Sequence, residues 1–133
     1  MVLDEPDVAA FLDIYPMRPG HVLVVPRRHA VRVGELAEAE HTALFAAATR
    51  LGRSLRAALP CDDVNVVLND GPAANQTVRH VHVHVIPRRR GDLGRLLGNR
   101  LVRPVAPLLG APPRAELDAL AARIGAEARA PRA

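Results

Sequence analysis

The chain has 133 residues, 49% hydrophobic and 24% charged, with a formal net charge of +4 and a sequence pI near 10.8, which is the size and make-up of one globular domain with a real core. Aromatic residues amount to only 2% (Phe11, Tyr15 and Phe45, no Trp), so a stacking platform for single-stranded nucleic acid has little to work with. The single cysteine, Cys61, excludes an internal disulfide and any Cys-based zinc cluster.

All 18 basic residues are arginine. That is weak ground for nucleic-acid binding and is compatible with an anionic substrate, because guanidinium suits phosphate geometry. The first residues, Met1-Val2-Leu3-Asp4-Glu5, carry neither a basic region nor an apolar run, and no segment approaches membrane-spanning length. A cytoplasmic protein without a nucleic-acid or membrane partner is the expectation.

In chain order, residues 8–14 form a short apolar run read as a strand, followed by a tight connection through Pro16, Pro19 and Gly20. Residues 21–25 are a second strand, stopped by Pro26, with His21, Leu23 and Val25 on one face. Residues 27–37 read as a linker with a helical turn near 34–37. Residues 38–59 give the strongest helix signal: Leu44, Ala48, Leu51, Leu55 and Leu59 recur at intervals of four and three. Glu38 and Glu40 lie near its start and Arg50, Arg53 and Arg56 toward its end, as the helix dipole prefers. Residues 64–69 are a third strand, and residues 70–76 a turn-rich loop. Residues 100–113, with four prolines, read as irregular, and residues 116–129 as a closing helix with Leu117, Leu120, Ala121 and Ile124 on one side.

Between these, residues 79–88 read Arg-His-Val-His-Val-His-Val-Ile-Pro-Arg. His80, His82 and His84 alternate with Val81, Val83 and Val85, the period of a strand with valines on one face and imidazoles on the other. Imidazole is costly to bury without partners and trades protons most readily near neutral pH. Three in register, of six in the chain, mark this strand as the candidate active site. The elements together predict a single α+β domain over 1–133, with an antiparallel sheet of about five strands, one long helix and one C-terminal helix.

Cleaving a phosphoanhydride or phosphoramidate needs a nucleophile, donors for developing negative charge and a proton for the leaving group. A neutral imidazole can attack phosphorus and form a nucleotidyl-histidine if its second nitrogen is held by an acceptor. Two other readings stay open. His-x-His is also zinc-ligand spacing, so a His-ligated metal-dependent phosphohydrolase is one. A nucleotide-binding module without turnover is the other. The absence of a carboxylate at ligand spacing after the triad favours a site with no metal and no cofactor.

The run His80-Val81-His82-Val83-His84-Val85-Ile86 resembles the signature of the histidine triad (HIT) family of nucleotide hydrolases and transferases. So do Phe11-Leu12-Asp13-Ile14, the stretch from Pro19-Gly20-His21 to Val25-Pro26, Asn69-Asp70-Gly71 and Gln76-Thr77-Val78, in the same order. The stretch 69–92 most resembles the fragile-histidine-triad type, which cleaves dinucleoside polyphosphates; purine nucleoside phosphoramidases share many of its blocks. The resemblance implies a purine nucleotide substrate and a homodimer joined edge to edge. It makes His82 the nucleophile, His80 and His21 supporting members of its hydrogen-bond network, and places His84 near the leaving group. It puts Asn69, Gln76 and Thr77 on the phosphates, Asp13 on the ribose, and Phe11, Ile14 and Leu23 in an apolar slot for the base.

Simpler roles stand beside several of these. His21 can be a satisfied strand histidine, Asp13 and Asn69 turn residues, and Arg88 to Arg90 a solvated face. His29 and His41 read as surface residues. Two departures from the family pattern stand out. The chain begins almost at the first shared block, where relatives often have some two dozen further residues. Asn75 also stands where glycine is usual; if that position needs positive φ, Asn is among the least penalised replacements.

Overall fold

A computed structural model describes residues 1–92, 94 and 111–131, so most of the irregular stretch expected over 100–113 lies outside the described residues. Five strands, β1 (Leu3–Asp4), β2 (Val8–Leu12), β3 (Val22–Pro26), β4 (Asp63–Leu68) and β5 (Val83–Arg88), form one antiparallel sheet in the order β1-β2-β3-β5-β4. Two α-helices, α1 (Glu38–Ala58) and α2 (Arg114–Arg129), and two short 3-10 turns, Val33–Glu35 and Pro72–Ala74, accompany the sheet among the described residues. This is the α+β arrangement expected. The two-residue β1 is an addition; so short a strand shows no alternation to read.

The strand pairing explains the valine-rich sequence. Ala10, Val24 and Val83 pair across one row, and Leu12, Val22 and Val85 across another, all toward the helices. Against this face α1 lays Leu44, Ala47, Ala48, Leu51 and Leu55, the stripe that the four-and-three spacing predicts. Leu44, Leu51 and Leu55 are fully buried. Each such side chain contributes roughly 1.5–3 kcal/mol in removed apolar surface. α2 covers α1 with Ala121, Ile124, Gly125 and Ala128. Of the side expected for it, Leu117 and Leu120 are only half-buried. Gly125 lets this helix approach closely: a Cβ there would lie 2.7 Å from the Val2 carbonyl oxygen.

No side chain caps α1 at Ala37, but Glu40 reaches back to accept from the Ala37 N–H at 2.8 Å. Glu40 also pairs with Arg28 at 2.7 Å, which ties the segment after β3 to the start of the helix. The Arg28 guanidinium, with the Ala37 amide, holds the Glu40 carboxyl at about 2.

With both helices on one side, the opposite face of the sheet is where the sequence placed its imidazoles. Phe11, Leu23, His84 and Val67 form one row across it.

Candidate active site

His84 is the second residue of β5, between Leu23 of β3 and Val67 of β4. His80 and His82 are placed differently from the sequence reading. The ladder begins at Val83, not at residue 79, because β3 ends at Pro26, which has no amide hydrogen to extend the pairing. The segment before β5 is held instead by the turn after β3. The Val81 N–H donates to the Ala30 carbonyl at 2.8 Å. His80 Nε2 donates to the Pro26 carbonyl at 3.0 Å, and the Ala30 N–H points at His80 Nδ1 at 3.4 Å. His80 is thereby fixed as the Nε2–H tautomer.

His82 is fixed the other way. Its Nδ1 lies 2.8 Å from the His80 carbonyl oxygen, which can only accept, so Nδ1 carries the proton. Nε2 keeps its lone pair. The ring is largely sheltered, 8% exposed, and stands edge-on to His84 with centroids 4.8 Å apart.

His21, fully buried, meets His84 through Nε2 and Nδ1 at 2.9 Å. On its other side, the Met17 N–H lies 3.3 Å and the Asp13 carboxylate 3.4 Å from His21 Nδ1. These two approaches favour opposite proton arrangements. Donation from Met17 sends the Nε2 proton toward His84, whereas a proton shared with Asp13 turns the His21–His84 bond round. Asp13, His21 and His84 thus form a buried line along which a proton can be handed to the site. The connection after β2 closes over it: the Asp13 N–H donates to the His21 carbonyl, and the Asp13 carboxylate accepts from the Tyr15 N–H, both at 2.9 Å.

The expected contact residues fall into two groups. Phe11 pairs with Leu23 across the face that carries His84, and Phe11 and Ile14 are exposed apolar side chains. Asn69 follows β4 directly, half-buried, and Thr77 is exposed on the approach to the triad. Asp13 is buried against His21. Gln76 is also turned inward. Its Oε1 accepts from the Gly71 N–H at 2.7 Å, and its Nε2 donates to the Val31 carbonyl at 2.8 Å and approaches the His80 carbonyl at 3.4 Å. The Gln76 amide is a latch between loops before it is anything for phosphate. Asn75 has φ 66°, the left-handed conformation that glycine or asparagine supplies at low cost.

His29 escaped the sequence reading. It is exposed, yet its ring stacks on His80 with centroids 5.2 Å apart and planes 9° from parallel, and its Nε2 donates to the Arg79 carbonyl at 2.8 Å. Fifty residues separate it from Arg79, so spacing carried no signal. His41, by contrast, bonds the Val33 carbonyl near the start of α1.

Among the described residues, no group of three or more His, Cys, Asp or Glu side chains is arranged to hold a metal ion. A cavity of about 190 Å³ lined by Arg18, Pro19, Leu59, Pro60, Cys61, Pro87 and Arg89 lies at the other end of β5 and includes none of the histidines. Burial pushes the Cys61 thiol up from its ordinary range, away from reactivity.

Three histidines on one segment, a fourth bonded to the last of them and an apolar patch alongside find a match among known proteins: the family model described as HIT domain covers residues 1–91. The chain belongs to the histidine triad family. A HIT relative named bis(5'-nucleosyl)-tetraphosphatase, from Schizosaccharomyces pombe, is 40% identical over 84 residues, 63% of this chain and 46% of that protein. Another, bis(5'-adenosyl)-triphosphatase from Dictyostelium discoideum, is 40% identical over 83 residues, 62% of this chain and 56% of that protein. The chain spans about half the length of these relatives. Among solved HIT structures, a Hit-like protein from Bartonella henselae superposes with a TM-score of 0.78 at 27% identity, covering 95% of this chain and 84% of that one.

Proposed function

We propose that the chain is a nucleotidyl hydrolase or transferase that cleaves a dinucleoside polyphosphate or a purine nucleoside phosphoramidate through a nucleotidyl-His82 intermediate. The observation that carries this reading is the hydrogen bond from His82 Nδ1 to the His80 carbonyl, which leaves Nε2 as a nucleophile of fixed direction. Two HIT relatives bear names for hydrolysis of bis-nucleosyl tri- and tetraphosphates, which supports the substrate class.

In the first step Nε2 bonds to the α-phosphorus as the bond from phosphorus to the leaving group breaks. The leaving group keeps the electron pair and takes a proton from His84, whose ring is next to that of His82. In the second step water attacks the same phosphorus, returns its proton to His84 and frees the mononucleotide and His82. The Asp13–His21 pair holds His84 from behind while its proton leaves and returns. Phe11, Ile14 and Leu23 take the base, and Asn69 and Thr77 the phosphates. Gln76 serves the phosphates by shaping the loop, and Asp13 reaches a ribose only if the buried line opens.

The same reading includes a homodimer formed along β4. Among the described residues this strand ends the sheet, and its Val66 and Val67 are 46% and 40% exposed, an apolar edge.

The test is turnover by purified protein of adenosine phosphoramidate, diadenosine polyphosphates and nucleotide sugars, followed by rapid quench of labelled substrate into alkali. Label held on the wild type by an acid-labile, base-stable bond, and lost in His82→Ala, is the expected result. Full activity of His82→Ala overturns the nucleophile.

A further inference from the structure

The segment that carries His80 and His82 lies outside the sheet ladder, so something else must set the direction of the nucleophile. The turn over residues 26–30 does so with five contacts. Three come from Pro26 and Ala30: Pro26 carbonyl to His80 Nε2, Ala30 N–H to His80 Nδ1, and Ala30 carbonyl to the Val81 N–H. The other two belong to His29, which covers one face of the His80 ring and grips the Arg79 carbonyl.

The His80 carbonyl is the acceptor that fixes the His82 tautomer. A shift of that oxygen weakens the bond and allows the proton to move to Nε2, which removes the lone pair from the attacking position. His29 holds the peptide units on either side: Arg79 by its carbonyl and His80 by its ring. Only a flat side chain that also carries an N–H makes both contacts. His29 itself is exposed and contributes nothing to the hydrophobic core.

We infer that His29 is a positioning residue for the reaction, acting through His80 to keep His82 in the Nδ1–H tautomer. The inference rests on the reading of His82 as nucleophile. It adds that a solvent-exposed imidazole 50 residues distant in sequence sets the efficiency of attack and not the affinity for nucleotide.

The experiment compares wild type with His29→Ala, His29→Phe and His29→Gln in steady-state turnover and in nitrogen-15 spectra of the histidine rings at mildly alkaline pH. In wild type, His82 shows one tautomer with an unprotonated Nε2. His29→Ala lowers kcat about tenfold with KM changed by less than about twofold, and its His82 signals move toward a mixture of tautomers. His29→Phe keeps the stacked ring and His29→Gln keeps a donor, so each recovers part of the loss in both readouts. An unchanged His82 tautomer in His29→Ala overturns the inference, whether or not kcat falls. Should His29→Ala fail to fold, the tautomer in His29→Phe and His29→Gln decides in the same way. Failure of the underlying reading looks different: His82→Ala then keeps its activity, while the nitrogen spectra still report whether His29 governs the His82 ring.

Discussion

An imidazole attacks reliably through one nitrogen only when the other is held, and His82 meets that condition through the His80 carbonyl at 2.8 Å. On the proposed mechanism, replacing His82 by Ala lowers kcat by at least about 10³-fold, since the covalent route is lost. Binding of a nucleoside monophosphate should change by only about 1 kcal/mol, the net worth of one neutral hydrogen bond. Single-turnover kinetics and calorimetric titration separate the two effects. Gln76 belongs to the same scale with a different outcome. Its amide joins the buried Gly71 N–H to the Val31 carbonyl, so Gln76→Ala leaves both without a partner. That should cost about 1–3 kcal/mol in urea denaturation. The sequence named Gln76 from its place before the triad, but the direction of its amide depends on where two other loops come to rest.

At the scale of elements, α1 and α2 test how much of the fold depends on packing. Leu51 is fully buried at the centre of the α1 stripe, so Leu51→Ala is expected to cost about 2–5 kcal/mol, read as a lower urea midpoint at constant slope. Gly125→Ala tests the approach of α2 to the N-terminal segment. The new methyl would meet a backbone oxygen at 2.7 Å, which cannot rotate away, so a loss of about 1–3 kcal/mol is expected. The period of the apolar residues made α1 legible almost to its ends. On α2 the same period found Ala121 and Ile124, with Leu120 packed against the core, and missed Gly125 and Ala128. Small residues carry little hydropathy signal, yet they are what allows two helices to meet closely.

For the whole molecule, pH connects the ends of the sheet to stability. The Arg88 guanidinium, followed by the Arg89 N–H and then Arg18, holds the Asp92 carboxyl at about 2, against an ordinary value near 3.8. Glu40 is held at about 2, against 4.5, by Arg28 and the Ala37 amide. Both groups bind fewer protons folded than unfolded as pH falls through this window. Their stabilisation is therefore complete above the ordinary carboxyl values and is lost between about pH 4.5 and 2. Thermal unfolding should show a Tm that falls through that range, with a shallower fall in Asp92→Asn. The β4 edge offers the other test at this scale. Val66→Arg places charge on the exposed strand and should convert a dimer to monomer in light scattering, without changing the far-ultraviolet dichroism. A wild-type monomer at high concentration would remove the edge from the proposal.

The features legible from residue order alone were periodic and local. Alternating valines demanded strands, four-and-three leucines demanded α1, and three imidazoles spaced by valine marked the candidate site. These follow from backbone geometry, which repeats every two or 3.6 residues whatever lies around it. The tertiary structure decided the rest, because the deciding partners are far apart in the chain. Pro26 ends its strand and so releases residues 79–82 from the ladder. Ala30 and His29 then take hold of that segment from 50 residues away. His21 reaches His84 across a separation of 63 residues and brings Asp13 with it. A hydrogen bond fixes which nitrogen holds a proton only once donor and acceptor lie within about 3 Å, a condition that no spacing in the sequence expresses.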